Sequence, residues 1–227
     1  MKFTDQTRNI LKNFCSINES IILREGSTIN TTSNVGNIMA VAELDTAFPS
    51  EAYIYNLNEF LNTLSLFDDP DVVFKDTHFV ITDSNSSMTY YFADASLINI
   101  PNKTPDASNL DEEMSFVITE EALADLIKAS NVMNLPDLVL TNKDGDMYFQ
   151  VTDHKNPTSN TYGKSLGSSN VDNDYSLFFK SENIRLSKGD YKFTIYSRNG
   201  KFISFIEHMN HELSYWVALE ASSEIKD

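Results

Sequence analysis

The chain has 227 residues, 33 of them acidic and 17 basic, for a net charge of −16. Hydrophobic residues make up 41 %, with 15 Phe and 10 Tyr against 7 Gly and 6 Pro; this excludes a disordered, low-complexity or fibrous chain and allows one large domain or two smaller ones. At face value the charge also excludes a nucleic-acid binder, because phosphate affinity comes from Lys and Arg, unless the basic residues gather on one surface. In chain order, a first helix is expected from about Thr4, its N-cap, to about Ser16, with Ile10, Leu11, Phe14 and Ile17 on one face. Short apolar runs follow at Ile21-Ile22-Leu23, Ile38 to Leu44 and Ala52 to Tyr55, which read as strands. A second helix follows Asn56, with Glu59 three residues on as a capping box and Leu57, Phe60, Leu61 and Leu64 as its stripe. Strand-like runs resume at Val72 to Phe74, Phe79 to Ile81 and Met88 to Phe92.

Residues 98–114 are rich in Pro, Asn and Asp and read as a connector. After it a third helix follows Thr119, carrying Leu123, Leu126 and Ile127, and strands are expected at Leu138 to Leu140, Met147 to Val151 and Tyr175 to Phe179. A short fourth helix is expected at about Ser181 to Leu186, then strands at Tyr191 to Tyr196, Phe202 to Ile206 and Leu213 to Leu219. Asp144-Gly145 and Asn199-Gly200 are hairpin turns between such runs. Each half thus reads as helix, several strands, helix, three strands. The economical fold is α+β: two antiparallel sheet domains at 1–100 and 115–227, each with helices on one face, joined by a connector at 101–114.

Catalytic signatures are absent: there is no Walker loop, dinucleotide glycine fingerprint, G-x-S-x-G or C-x-x-C. His208 and His211 are three apart, but a turn between strands suits them better than a metal site, and no Cys completes a zinc set. Asp68, Asp69 and Asp71 could hold magnesium in a nuclease, although a solvated acidic turn is the plainer reading. No cofactor, metal or catalytic residue is expected. The single cysteine, Cys15, permits no intrachain disulfide and suits a reducing cytoplasm. The first residues lack the apolar core of a signal peptide, and no apolar run approaches the roughly 18 residues of a membrane span.

The cations have a pattern. Arg8 and Lys12 are four apart and lie roughly 140–170° from the apolar stripe of the first helix. Lys128 projects opposite Leu123 and Leu126, with Glu121 and Asp125 beside it, and Lys180, Arg185 and Lys188 surround the fourth helix. The second helix shows only Asn58, Glu59 and Asn62 outward. Three of four helices thus offer outward cations while much of the acid lies in loops, turns and strands, which suits contact with phosphate without base reading.

Several stretches together resemble the sliding clamps of tailed phages that encode their own replisome, relatives of proliferating-cell nuclear antigen. They are Leu11-Lys12-Asn13-Phe14 with Ile17-Asn18, residues 55–61 with Leu64-Ser65-Leu66, Ala93-Asp94-Ala95-Ser96 leading to Pro101-Asn102-Lys103, Gly189-Asp190-Tyr191-Lys192, and Tyr215 to Ala221. They run in family order over nearly the whole chain; residues 143–173 resemble the family only in outline. The resemblance implies the DNA clamp fold, a homotrimeric ring around duplex DNA without sequence preference, helices lining the hole and sheets outside. It further implies an ATP-driven clamp loader, a replicative polymerase docking by its C-terminal peptide, a sigma-like late-transcription factor, and residence in the cytoplasm of an infected bacterial host.

On that reading Arg8, Lys12, Lys128, Lys180, Arg185 and Lys188 line the hole. Strands at Ser87 to Ala93 and Ser159 to Leu166 supply the edges that pair between subunits. The peptide pocket is formed by Met39, Leu97, Ile98, Ile100, Pro101, Trp216 and Ala218, unless Trp216 is simply buried core. The alternative is an acidic binding module without a ring, such as a DNA-mimicking inhibitor; it would set carboxylates at phosphate-like spacing, and cations on helix faces count against it.

Overall fold

The computed structural model describes residues 1–98, 105–169, 171 and 173–226. It divides into two compact units, 1–104 and 105–227. Antiparallel strands dominate both, with three α-helices in all among the described residues.

The first unit opens with α1 (Asp5–Ile17), whose N-cap Thr4 accepts a bond from Thr7 N–H through its side chain. Such a cap satisfies one of the amides left free at a helix start. Ile10, Leu11, Phe14 and Ile17 are buried along one face, as the spacing predicts. β1 (Ile21–Leu23) leads to β2 (Gly26–Thr32) and β3 (Ile38–Phe48), which pair as a hairpin, and β4 (Ala52–Ile54) returns to β1. α2 (Leu57–Leu64) starts where Asn56 Oδ1 accepts from Glu59 N–H at 3.0 Å. It packs beside α1, burying Leu57, Phe60, Leu61 and Leu64. Phe60 meets Phe3, Phe79 and Tyr90 ring to ring, at 5.8, 5.1 and 5.2 Å between centroids.

β5 (Asp71–Phe74), β6 (His78–Thr82) and β7 (Ser87–Tyr91) close the unit as an antiparallel sheet in that order. β7 therefore has a strand on one side only among the described residues, with Ser87, Thr89 and Tyr91 exposed. The acidic turn after α2 is not gathered around a cation site: Lys2 pairs with Asp69, and among the described residues no cluster of metal-binding side chains occurs.

The second unit begins with a single 3-10 turn (Ala107–Asn109) and β8 (Asp111–Ile118), a strand whose first four residues fall in the stretch read from sequence as connector. Thr119 caps α3 (Glu120–Met133), which ends at Asn134 in the left-handed region, φ 52°. β9 (Asp137–Lys143) and β10 (Asp146–Thr152) form a hairpin about Asp144-Gly145, both at positive φ. β11 (Tyr162–Ser168) follows β10, and β12 (Tyr175–Lys180) lies on the other side of β9. β13 (Tyr191–Arg198), β14 (Lys201–His208) and β15 (Leu213–Ala218) run in sequence beside β8, and β16 (Glu224–Ile225) pairs with β12. The β13–β14 turn is Asn199-Gly200, at φ 52° and 71°, as that dipeptide requires. β11 is the edge of its sheet among the described residues, and five of its seven residues are exposed.

The fourth helix expected at 181–186 is not formed. Only Ser181–Asn183 make a 3-10 turn, without a side-chain cap. Three competing commitments explain this: the side chains of Asn183 and Ile184 turn inward, Arg185 Nε bonds back to Glu182 O at 2.8 Å, and Ser187 N–H is taken by the Tyr215 hydroxyl at 3.2 Å.

Candidate nucleic-acid and partner surfaces

On α1 the exposed stripe is Asp5, Asn9, Lys12 and Ser16, at helical spacing. Lys12 projects freely into it. Arg8 borders it and is half-buried, with Nε enclosed and unbonded. α2 shows Asn58, Glu59 and Asn62, so no cation joins from that helix.

In the second unit Lys128 and Lys188 are exposed. Asp125, expected to neutralise Lys128, instead reaches Lys164 of β11 at 2.6 Å. The outward face of α3 is thereby less acidic than its sequence suggests. Arg185 is exposed but tethered to Glu182 O. Lys180 differs most from expectation. Its ammonium lies 2.6 Å from Asp137 Oδ1 and 3.8 Å from Glu220, and its side chain is only 23 % exposed. Asp137 itself is 1 % exposed and also accepts from His154 Nδ1 at 2.6 Å and from His154 N–H at 3.1 Å. Burial alone would raise the Asp137 carboxyl, but the Lys180 and His154 donors outweigh it and hold it below the usual carboxylate range. Lys180 is therefore committed inside the second unit rather than offered as a free surface charge.

The residues assigned to a peptide pocket fall in both units. Met39 is half-buried on β3, Leu97 is 61 % exposed in the 3-10 turn Ala95–Leu97, and Ile98 is buried. Ile100 and Pro101 lie outside the described residues. Trp216 is 5 % exposed, packed against Phe205 at 4.6 Å and Tyr196 at 6.0 Å between centroids. Register places Phe205 opposite Trp216 and Ile203 opposite Ala218, so these four and Tyr196, across from Ile203, share one face. Tyr196, Ile203, Phe205 and Ala218 are half-buried. Phe205 and Tyr196 were missed in the sequence, although alternation along the Asn199-Gly200 hairpin sets both on the Trp216 face.

His208 ends β14 and His211 lies in the following turn, with their rings 4.6 Å apart. His208 Nδ1 accepts from Asn210 N–H and Nε2 sits 3.1 Å from Lys188 O, so the His208 ring serves the turn.

Comparison with known proteins agrees with this architecture. Residues 4–100 match the profile of the DNA polymerase processivity factor family, and residues 115–221 that of the gp45 sliding clamp C-terminal family. The sliding clamp of Escherichia phage RB69 is 32 % identical, over 98 % of both chains. That of Vibrio phage KVP40 is 30 % identical over 97 % of this chain and all of its own. The fold recurs in a PCNA2–PCNA3 complex from Sulfolobus tokodaii, at TM-score 0.64 and 12 % identity over 98 % of both chains. It also recurs in the Helicobacter pylori beta clamp, at TM-score 0.68 and 11 % identity over 96 % of this chain and 64 % of the other. With both halves matched in order and two phage relatives aligned end to end, the chain belongs to the sliding clamp family, the processivity factors of DNA polymerases.

Proposed function

We propose that this processivity factor works as a closed homotrimer around duplex DNA and catalyses no reaction itself. The carrying observation is that each unit presents an edge strand, β7 in the first and β11 in the second, with a neighbouring strand on one side only among the described residues. Joining β7 of one copy to β11 of the next is a head-to-tail contact, and three such contacts close a ring. Gly163 lets β11 lie close to β10, since a Cβ there would come 2.9 Å from Gln150 Cβ, its partner in register. Three copies bring together three times the −16 charge, so assembly should weaken at low ionic strength.

Lys12, Lys128 and Lys188, with Arg8 and Arg185 at the margins, would meet phosphate without reading bases. Lys180 takes little part, given its pairing with Asp137. The Trp216 face of β13, β14 and β15 would receive the hydrophobic C-terminal peptide of the replicative polymerase, on an aromatic cluster of the kind that dominates interface energetics. Loading by an ATP-driven loader and use by a sigma-like late-transcription factor belong to the same reading. A native mass in moderate salt tests it: three subunits are expected, and a monomer at high micromolar concentration would refute the ring.

A further inference from the structure

Asn199-Gly200 closes the β13–β14 hairpin in two residues, at φ 52° and 71°, and so fixes what stands at its end: Arg198 directly opposite Lys201. Both are exposed, and neither has an ion-pair partner among the described residues. Side chains so opposed start about 5 Å apart, and like charges in that relation destabilise the sheet. The two cations therefore work against the hairpin that carries them. An anion held between them would relieve the repulsion.

Register assigns the pair to a surface. Opposite residues, and every second residue along a strand, share a face. Arg198 and Lys201 thus stand on the face of Tyr196 and Ile203, one rung or about 7 Å beyond them, with Phe205 and Trp216 one rung further on. Charge is unevenly placed along this face. The tip rung holds two cations, the next brings Glu112 opposite Tyr196 across a bulge in β8, and the far end sets Glu207 opposite Lys192. Glu112 and Glu207 do bear on this surface: after burial, their charges are what push the Tyr196 phenol up. Only the tip is left with uncompensated positive charge.

We propose that, resting on the peptide docking put forward above for the Trp216 face, Arg198 and Lys201 together hold the docked peptide's free α-carboxylate and so set the direction in which it lies. Guanidinium and ammonium groups give charge-assisted bonds to a carboxylate, and the Arg fork can take both of its oxygens. An extended chain rises about 3.4 Å per residue, so with its carboxylate at the tip the last four residues reach the Phe205–Trp216 rung. The opposite direction would bring the carboxylate to the Lys192–Glu207 rung, where a cation already faces an acid, and leave the tip pair unmatched. Duplex DNA suits the pair less well, since the next rungs are apolar with Glu112 beside them and offer a run of phosphates nothing.

The probe is the C-terminal peptide of the cognate polymerase, labelled with fluorescein at its N-terminus and made both as the free acid and as the C-terminal amide. By anisotropy against the full-length chain, the acid should bind about fivefold more tightly than the amide, a difference that shrinks in high salt. Arg198→Gln with Lys201→Gln should cost the acid that factor and leave the amide unchanged. Both positions are exposed and the change removes a repulsion, so the double variant should fold as the parent does. Lys201→Arg should keep the preference for the acid. Equal binding of acid and amide by the parent overturns the proposal while docking on the Trp216 face stands. Equal loss of both peptides in the double variant also overturns it, because the cations then answer only to the peptide's total charge. If amidation has no effect but replacing the peptide's acidic side chains by amides does, the pair reads a side chain and the assignment is wrong. It is equally wrong if the double variant loses affinity for a short duplex and keeps the preference for the acid. Failure of both peptides to saturate the parent removes the docking itself, and the terminus reading with it.

Discussion

The Lys180 ammonium sits 2.6 Å from Oδ1 of Asp137, a carboxylate that is 1 % exposed and shared with His154. Removing one partner of such a pair strands the other charge in a low-dielectric site, which costs about 3–5 kcal/mol. Lys180→Ala is thus expected to lower stability by about that amount in urea unfolding. Lys128→Ala and Lys188→Ala, both at exposed positions, should stay within about 0.5 kcal/mol of the parent. Equal small effects for all three would show that Lys180 is an ordinary surface charge.

The same pair sets an acid limit. Because the folded Asp137 carboxyl titrates below its usual range, the unfolded chain binds a proton there first as pH falls. The stabilisation is complete above the ordinary carboxylate value of about 3.9 and is lost as pH falls through the lower folded value. Comparing urea midpoints at neutral pH and near pH 3 in the parent and Asp137→Asn should show a shallower acid loss in the variant. Parallel curves would remove Asp137 from the acid limit.

Gly189 has φ +145°, and a Cβ added there would lie 2.2 Å from His208 Nε2 and 2.7 Å from Cε1. Either the ring or the turn must move. Gly189→Ala should cost about 1–3 kcal/mol, combining backbone strain with overpacking. His208→Ala in the same chain should recover part of that loss, and a double-mutant cycle in urea measures the coupling. A coupling near zero would mean the clash is relieved elsewhere.

Local rules carried much of the fold. Thr4, Asn56 and Thr119 each cap a helix through a side-chain oxygen, and the stripes they precede are buried at the expected spacing. Asp144-Gly145 and Asn199-Gly200 adopt the positive φ pairs that two-residue hairpins demand. What escaped was decided by partners distant in sequence. The 181–186 segment has helical spacing, yet Ser187 answers to Tyr191 and Tyr215 and the helix stops after one turn. Helical projection set Asp125 beside Lys128, but Lys164, 39 residues on, draws it away. Lys180 read as a surface cation because Asp137 is 43 residues distant. Trp216 was visible as a lone aromatic, whereas its cluster with Tyr196 and Phe205 needed the strand register.

Arg8 and Lys12 separate the DNA reading from simple helix solvation. Changing both to Glu is expected to reduce processive synthesis on a primed template while leaving the native mass unchanged. The loss should not depend on template sequence, and the slope of affinity against salt should flatten, since phosphate contacts carry the counterion release. Arg8 is half-buried, so Lys12→Glu alone, at an exposed position, is the control for misfolding. Normal processivity in the double variant would take α1 out of DNA contact.

Trp216 reports on peptide docking. It is nearly buried, so its emission should begin blue-shifted, and a ligand reaching it must act through the half-buried Phe205, Tyr196 and Ala218 around it. Titrating the C-terminal peptide of the cognate polymerase should change that emission saturably. Ala218→Arg sets a long charged side chain on the same face, opposite Ile203 in register, where an apolar ligand would otherwise lie. A hot spot blocked at its centre typically loses 2 kcal/mol or more, about thirtyfold in affinity. The variant should lose the titration while its circular dichroism and native mass match the parent. If the peptide binds the Ala218→Arg protein as tightly as the parent, Trp216 is core packing and the docking site lies elsewhere on the chain.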